Sequence, residues 1–455
     1  MDKFIYNKPS EDFSRMGFGD KRLDDRLEKT VEMLTKNSQS SILSGCGSKY
    51  DAKAFYALLS NDKFQQEEMN KKQQNATTER IRESGVSVVL LPQDTTDINL
   101  NGHKKTEGLG YCSENVRGVK AHSCIALTAE GASLGLVYQQ YETRETAKSE
   151  LSKYEKSKRP IEEKESYRWI ETSRKALEIM PEDVEPIIIC DREGDFYELF
   201  AEMESINASY VIRLTHDRAV MEGNHSIQQI RRTKSCGEIE VSIPRDTREN
   251  RPARVAKMEV AYCSVAVARP QNTDAKLPSH LTLNLVRVTE IGDTKEPIEW
   301  LLATNKAINN AEDAIIIVNY YVQRWKIERF HYILKSGCQV EKIQQRSYER
   351  IQPLLLIYSV IAAFILAMTY FARIVPDAPC NVFLDDDEWK ILYRLITREK
   401  TPPKEPYSLK TAVAYLGELG SFRHTPSNGD YGVKAVWQGL TKLFIAIDVV
   451  GRLSG

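Results

Sequence analysis

The feature that most constrains the fold is an uncharged apolar segment late in the chain, from Leu354 to Ala372. The segment is long enough to span a bilayer as a helix. A helix that is apolar on all sides can instead be buried inside a soluble protein. Charged sequence stands on both sides of the segment, and a single span would place these two regions on opposite sides of a membrane. We therefore expect a buried helix and no membrane association.

The charge balance disfavours one class of nucleic-acid-binding protein. The 455 residues include 63 Lys and Arg and 64 Asp and Glu, which gives a formal net charge of -1. This balance argues against a histone-like protein that coats nucleic acid by bulk charge. The charge is unevenly distributed, however, and residues 210–235 and 321–350 each carry a net positive charge. Basic segments of this kind are what local contact with DNA phosphates requires.

Targeting and cofactor motifs are also informative. The N-terminus lacks a basic region followed by an apolar core, so we expect no secretory signal. The eight cysteines include no Cys-x-x-Cys pair, which disfavours a zinc ribbon or a disulfide scaffold and suits a reducing cytosol. No Gly-x-x-x-x-Gly-Lys-Ser/Thr loop occurs in the sequence. We expect a cytoplasmic protein without a nucleotide cofactor.

Hydrophobic periodicity divides the chain into two helical ends and an α/β centre. Residues 1–75 carry apolar positions at helical spacing. In residues 76–375, short apolar strands alternate with helices, which is typical of a mixed α/β sheet. Within this block, residues from about 225 to 305 alternate with period two and predict an antiparallel β insertion. Residues 376–455 again predict helices.

Four functional side chains share one predicted helix, namely Tyr321, Arg324, Glu328 and Lys335. Their spacing places all four on one stripe of a regular α-helix. This much aligned polar chemistry indicates a functional surface. A solvated face with local ion pairs, such as one between Arg324 and Glu328, is the alternative that periodicity leaves open.

Two aspartates are predicted to stand at the ends of apolar strands. Asp94 follows the run Val86–Leu91, and Asp191 follows Ile187–Cys190. A carboxylate at a buried strand end is costly to desolvate unless it is paired or binds a metal, and ligand sites favour strand ends in open α/β sheets. Together with Glu328, the aspartates could form an oxygen-only site for two Mg²⁺ or Mn²⁺ ions. Such a site suits in-line phosphoryl transfer, although the sequence alone leaves open whether the three acids converge.

These motifs together resemble the bacterial insertion-sequence DDE transposases, in the Tyr-Arg-Glu-Lys motif branch that includes the transposon-five transposase. The helix motif carries the resemblance, with Gln93-Asp94-Thr95-Thr96 and Cys190-Asp191-Arg192-Glu193 supplying both aspartates in order. Weaker matches extend the resemblance over nearly the whole chain, and they are Gly19-Asp20-Lys21-Arg22, Glu163-Lys164-Glu165-Ser166, Trp169 and Trp437-Gln438-Gly439.

The resemblance implies a fold and an activity. The fold is α/β, with a ribonuclease-H-like catalytic core in residues 76–375, a β insertion, and helical domains at both ends. Residues 1–75 would bind transposon-end DNA, and residues 376–455 would support a homodimer in the synaptic complex. The implied activity is cut-and-paste transposition, with cleavage through a hairpin intermediate and strand transfer into target DNA. We expect two Mg²⁺ ions per active site, with Mn²⁺ as a substitute, and association with the nucleoid when DNA is bound.

The resemblance also implies roles for the central residues. The three acids Asp94, Asp191 and Glu328 would hold the metal ions and carry the catalysis. The remaining residues of the helix motif, Tyr321, Arg324 and Lys335, would contact DNA phosphates near the cut, which is chemistry that suits Arg and Lys in any case.

Other DNA contacts rest on single residues. Trp300 resembles a tryptophan that stacks on a flipped base at the hairpin, with a core tryptophan as the alternative. Contacts near the active site are predicted for Arg213, His216 and Arg218. Contacts that recognise the transposon end are predicted for Lys21, Arg22 and Arg26. His122 and His331 are interpreted as structural.

Two other functions remain possible from the sequence. A ribonuclease-H-like nuclease or resolvase would use the same metal ions without strand transfer, but the helix motif, the β insertion and the flanking helical domains disfavour it. An inactive transposase derivative could persist as a DNA-binding protein, but the intact set of three acids disfavours that reading.

Overall fold

The computed structural model describes residues 4–38, 45–46, 48–61, 63–64, 66–146, 152, 155, 158–221, 223–243, 253–292, 297–421 and 431–454. Its strands are β1 (Val88–Asn99), β2 (Tyr111–Ser113), β3 (Val116–Thr128), β4 (Ser133–Glu142), β5 (Glu185–Cys190), β6 (Ser209–Arg213), β7 (Gly237–Ile243), β8 (Arg254–Ala268), β9 (His280–Glu290) and β10 (Glu299–Thr304).

The helices of the described residues surround this sheet and dominate both ends of the chain. They are α1 (Lys21–Lys36), α2 (Lys49–Leu58), α3 (Gln66–Ser84), α4 (Tyr167–Leu177), α5 (Tyr197–Ser205), α6 (Ser226–Arg232), α7 (Ala311–Val322), α8 (Trp325–Tyr332), α9 (Tyr348–Ile374), α10 (Asp386–Thr397), α11 (Leu409–Leu419) and α12 (Val433–Ser454).

The ten strands form one mixed sheet in the order β2-β3-β1-β5-β6-β10-β9-β8-β7, with β4 paired to β3. Strands β1, β3 and β4 are antiparallel neighbours, whereas β5 runs parallel to β1 and β6 runs parallel to β5. The order β4-β3-β1-β5-β6 is that of a ribonuclease-H-like sheet. The predicted fold class is therefore confirmed.

The β insertion extends this sheet at one edge. Strands β7 to β10 are antiparallel to one another, and β10 pairs with β6. The insertion begins with α6 at Ser226 and ends with β10 at Thr304, which matches the period-two alternation seen in the sequence. Helix α7 follows directly and packs back on β8 and β6, so the insertion is part of the wall behind the helix motif.

Helix α9 contains the long apolar segment, and it is buried. The helix is long and apolar enough to cross a membrane, yet 94% of its most apolar stretch is buried inside the protein. It packs against β4 and α3 on one side and against α11 and α12 on the other. The prediction of a buried helix is confirmed.

The N-terminal segment is attached to the catalytic region by a buried ion pair. Arg80 in α3 binds both carboxylate oxygens of Asp12, at 2.7 and 2.9 Å. Its Nε donates to the carbonyl of Leu134 at 2.7 Å, and its guanidinium lies 4.7 Å from the centre of the Tyr6 ring. Both charged side chains are only 3% exposed.

Two details of the chain differ from the sequence predictions. Strand β1 does not end at Pro92 but continues to Asn99, because its pairing with β3 persists from Gln93 opposite Cys124 to Asn99 opposite Gly118. Asp94 therefore lies inside a strand rather than after one. The predicted domain limit at residue 75 falls within α3, and the domain limits stay predictions.

Candidate active site

The register of the sheet places the two aspartates side by side. In the parallel pair β1–β5, Pro92 stands opposite Ile189. Two residues further along this register, Asp94 is level with Asp191, and both project to the same face because side chains alternate with period two. Each carboxylate is held by a backbone N–H: Asp94 accepts from Thr95 and Asp191 accepts from Glu193, both at 2.8 Å.

The helix that carries the third acid is not regular. Between α7 and α8 the turn tightens, because the N–H of Arg324 bonds to the carbonyl of Tyr321 three residues earlier, at 3.0 Å. After α8 the helix widens into a π turn over Ile333–Gly337, a feature frequent at functional sites. The prediction that Tyr321, Arg324, Glu328 and Lys335 share one regular α-helix is therefore wrong.

Arg324 joins the glutamate to the aspartates. Its Nη2 donates to Oε1 of Glu328 at 2.6 Å, and its Nη1 lies 3.9 Å from Oδ2 of Asp94. Burial raises the pKa of Asp94 to about 7; Arg324 opposes this shift, whereas the charges of Asp191 and Glu328 add to it. Asp191 and Glu328 therefore both lie near enough to act on Asp94.

The residues of this site fit a divalent cation in their chemistry. All three acids offer carboxylate oxygens, the ligands that Mg²⁺ and Mn²⁺ prefer. The pKa of Asp94 is raised mainly by burial and further by the charges of Asp191 and Glu328, which a cation would neutralise. Within the described part of the chain, however, no three His, Cys, Asp or Glu side chains lie close enough to hold a metal ion together. The carboxylate of Glu328 is instead engaged by Arg324.

Two buried polar atoms beside the acids lack a partner with hydrogen-bond geometry. They are Oη of Tyr321 and Nε of Arg324. An unpaired buried polar atom costs about 1–3 kcal/mol, and a phosphate group would supply the missing acceptors. Lys335 lies further along, where its Nζ donates to the carbonyl of Asp97 at 2.8 Å. Tyr321 and Arg324 thus meet the acids, and Lys335 borders the site along β1.

The strand after Asp191 contributes a basic group and a structural one. Arg213 is partly buried on β6, where burial lowers its pKa, and the charge of Arg324 acts on it. Arg218 is buried in an ion pair with Asp195, at 2.5 Å. Asp195 also accepts hydrogen bonds from the backbone N–H groups of Thr215 and the exposed His216. In this structure the charge of Arg218 neutralises a buried carboxylate, and its phosphate contact stays a prediction.

Trp300 lies in the core rather than at an open surface. It is 3% exposed on β10 and meets the ring of Tyr321 edge-on, with ring centres 5.5 Å apart. No face of the indole is open to a flipped base in this conformation. The alternative weighed for this residue, a core tryptophan, is what the structure contains.

The predicted end-recognition residues occupy one end of α1. Lys21 and Arg22 are exposed at the start of the helix. Arg26 instead pairs with Asp51 at 2.9 Å. Ser48 caps the start of α2, because its hydroxyl accepts from the N–H of Asp51 and donates to the carboxylate of Asp51. Arg26 therefore holds α1 against α2.

Two residues that the sequence did not single out as functional border the acids. Arg168 on α4 donates to Thr95 at 3.2 Å and to Glu193 at 3.3 Å, so it links the backbone neighbours of both aspartates. His331 is buried 4.0 Å from Asp94, and burial lowers its pKa to about 3. Their signals in the sequence were weak: Arg168 adjoins Trp169 in the resembling motif, and His331 is one helical turn after Glu328.

The fold and the site together define a class of protein. A ribonuclease-H-like sheet carries one carboxylate on β1 and one after β5, and a following helix brings a third to the same site. This is the arrangement of ribonuclease-H-like phosphoryl-transfer enzymes that act on nucleic acids.

Comparison with protein families makes the assignment specific. Residues 168–365 match the family model described as transposase DDE domain, and residues 9–64 match the model described as transposase DNA-binding. The chain thus contains a region that matches a transposase DNA-binding domain and a region that matches a transposase DDE domain, which is a phosphoryl-transfer enzyme domain. DDE transposases generally use divalent metal ions.

Among solved structures, the chain is similar to a cryo-EM structure of the piggyBac transposase synaptic complex with hairpin DNA. The identity is 10%, and the match covers 78% of this chain and 69% of that chain, with a TM-score of 0.33. A similarity at this level supports no argument about the present chain.

Proposed function

We propose that this transposase works by cut-and-paste: it cleaves DNA at transposon ends through a hairpin intermediate and transfers the freed end into target DNA. The observation that supports the proposal is that Arg324 lies between Glu328 and Asp94, with Asp191 near enough to act on the pKa of Asp94 and with the Nε of Arg324 unpaired. The carboxylates suit metal binding, and the hydrogen-bond donors of Arg324 and Tyr321 suit phosphate binding. The two groups that a DNA-cleaving site needs are therefore neighbours.

Asp94, Asp191 and Glu328 would hold two Mg²⁺ ions, which Mn²⁺ could replace. When bound, such ions supply activation of the attacking water or hydroxyl and stabilisation of the leaving oxygen. The chain itself does the rest. Arg324 and Tyr321 would bind and orient the phosphate at the cut. Burial of Asp94 to 20% side-chain exposure limits the access of water to that carboxylate.

Further DNA contacts would surround this centre. Lys335 would bind a phosphate by leaving the carbonyl of Asp97, and the exposed His216 and partly buried Arg213 would contact the backbone on the other side. Lys21 and Arg22 are exposed on α1 and would contact the transposon end. Each of these contacts uses a side chain that lies at the surface or borders the acids.

The active assembly would be a homodimer that pairs two transposon ends. Ile445, Val449 and Val450 are exposed apolar residues on the last helix, α12. Exposed apolar side chains that lie close together on a helix favour a protein interface. The protein would act in the cytoplasm, associated with the nucleoid when DNA is bound.

The test is incubation of the protein with linear DNA carrying candidate ends and Mg²⁺ or Mn²⁺, scored for hairpins, excised fragments and strand-transfer products. We expect all three products from the wild type. Glu328→Gln should lose cleavage by a factor on the order of 10³ or more while it still binds DNA. Glu312→Gln, an exposed acid at the start of α7, is the matched control and should cleave normally.

Other outcomes identify the alternatives. Cleavage without hairpins or joined products would indicate a nuclease or resolvase. DNA binding without cleavage in the wild type would indicate an inactive derivative. Full cleavage by Glu328→Gln would remove that residue from the catalytic centre.

A further inference from the structure

Arg324 has more hydrogen-bonding capacity than its surroundings use. Its side chain is 9% exposed and makes one short charge-assisted hydrogen bond, to Glu328 at 2.6 Å. The distance of 3.9 Å to Asp94 is beyond hydrogen-bond range. A guanidinium carries five N–H donors, and the buried Nε of Arg324 has no partner. The residue is therefore an incompletely satisfied cation placed between two acids.

Glu328 is the member of the acid set that Arg324 engages. Its side chain is 43% exposed, in contrast to the 20% exposure of Asp94. A guanidinium and a divalent cation carry the same sign of charge, so each opposes binding of the other to the same carboxylates. While Arg324 holds Glu328, the site has a counter-ion of its own.

A phosphodiester offers Arg324 a second set of acceptors. Arginine and phosphate form paired, parallel hydrogen bonds, and the unpaired Nε would supply one of the donors. The Tyr321 ring borders the same place, since its centre lies 5.9 Å from the guanidinium. The partnerless Nε of Arg324 therefore marks a place for an acceptor oxygen next to the acids.

We propose that Arg324 is an exchangeable counter-ion: it neutralises Glu328 when no DNA is bound, and a DNA phosphate takes it over and releases Glu328 to the divalent cation. This inference rests on the proposed function, since it takes the three acids as the cation site and DNA as the source of phosphate. Arg324 would thereby couple the binding of DNA to the binding of the divalent cation.

The coupling has to be reciprocal. If DNA raises the affinity for the cation by some factor, the cation raises the affinity for DNA by the same factor. Couplings between sites in proteins are usually between about 5-fold and 150-fold. A variant without Arg324 should have the higher cation affinity even when no DNA is bound, because Glu328 can then bind the cation directly.

The experiment measures Mn²⁺ binding to the full chain by electron paramagnetic resonance, without any reaction. Arg324→Gln should bind Mn²⁺ at least about 5-fold more tightly than the wild type in the absence of DNA, and Arg324→Met is a second variant in case the first folds poorly. Arg213→Gln is the matched control, since Arg213 carries the same charge near the site but donates to the carbonyl of Glu299 rather than to an acid. Its effect should be clearly smaller.

Two further arms decide the mechanism. In a Glu328→Gln background, Arg324→Gln should no longer increase the Mn²⁺ affinity. If the affinity still increases, or if Arg213→Gln increases it equally, Arg324 acts only as a nearby positive charge and the inference is overturned. A short oligothymidylate should raise the Mn²⁺ affinity of the wild type and add little to Arg324→Gln. An equal rise in both proteins would also overturn the exchange.

The design separates this inference from the proposed function. If Asp94→Asn and Glu328→Gln leave Mn²⁺ binding unchanged, the acids are not the cation site and the proposed function fails at its centre. If those variants weaken binding while Arg324→Gln binds as the wild type does, the cation site stands and only the exchange is wrong.

Discussion

Arg80 and Arg324 are both buried arginines paired with carboxylates, and they differ in how completely they are satisfied. Arg80 binds both oxygens of Asp12 and uses its Nε on a backbone carbonyl. Arg324 makes one hydrogen bond to the partly exposed Glu328 and leaves its Nε without a partner. A fully satisfied buried pair holds two parts of a fold together. An incompletely satisfied one is suited to change partners when a ligand arrives.

The largest effect is expected when the satisfied pair is broken. Arg80→Met should lower the free energy of unfolding by about 3–5 kcal/mol, because it leaves the carboxylate of Asp12 buried without its counter-charge. Urea denaturation measures the change. Arg174→Met is the control, since Arg174 pairs with Glu202 at the surface and should cost less than about 1 kcal/mol. Equal losses of stability in Arg80→Met and Arg174→Met would show that the buried ion pair stabilises the protein no more than the surface pair does.

The wall behind Arg324 provides the next test. Trp300→Ala should cost about 3 kcal/mol of stability, because it leaves a cavity against Tyr321. Trp300→Phe should keep most of the stability and should still allow hairpin formation. A Trp300→Phe protein that is stable but makes no hairpins would instead favour the base-stacking role, with gel analysis of the products as the measurement.

Asp94 is buried and only partly neutralised by Arg324, which predicts that the stability of the metal-free protein depends on pH. Its pKa is raised from 3.8 to about 7 on folding, mainly by burial. The protonated form is thus favoured in the folded state, so the stabilising contribution is full below about pH 4 and is lost as the pH rises through 7. Asp94→Asn should therefore gain stability relative to the wild type on going from pH 5 to pH 8, by on the order of 1–2 kcal/mol.

Thermal denaturation in EDTA at both pH values measures this difference. Asp51→Asn should show no such gain, because hydrogen bonds from Ser48 and Lys29 lower the pKa of Asp51 and keep its carboxylate ionised throughout this range. A constant difference between Asp94→Asn and the wild type across this pH range would contradict the raised pKa.

The smallest effect is expected for the incompletely satisfied arginine itself. Arg324→Gln should cost less stability than Arg80→Met at neutral pH, because Glu328 is 43% exposed and can be solvated by water. Urea denaturation beside Arg80→Met checks it directly. A loss as large as that of Arg80→Met would make Arg324 a structural residue.

The sequence predicted the parts of the site that depend on periodicity. Asp94 and Asp191 were recognised because each adjoins an apolar strand, and the parallel register then makes them neighbours. Glu328 was recognised by its spacing from Arg324, and the ion pair between them was foreseen as a local contact. Hydrophobic patterning was likewise sufficient for the sheet, the insertion and the buried helix.

The features that the sequence did not reveal depend on partners distant in the chain. Nothing local indicates that Arg218 meets Asp195 or that Trp300 is covered by Tyr321, because both contacts are set by how β6 and β10 pack. Spacing assumes a constant helical pitch, so it could not reveal the tightened turn at Arg324. The strand was expected to end before Asp94, yet antiparallel pairing with β3 carries β1 on to Asn99.

Helix α9 has a consequence for how this protein can be engineered. The rings of Phe4 and Tyr6 from the N-terminal segment pack on Phe371 of α9, and Phe383 from the C-terminal region packs on the same ring. Helix α9 thus forms a common core for the N-terminal and C-terminal regions. A chimaera that replaces the DNA-binding region should keep the segment around Phe4 and Tyr6. Without this segment, α9 would expose an apolar surface, and the chimaera would aggregate before its DNA specificity could be measured.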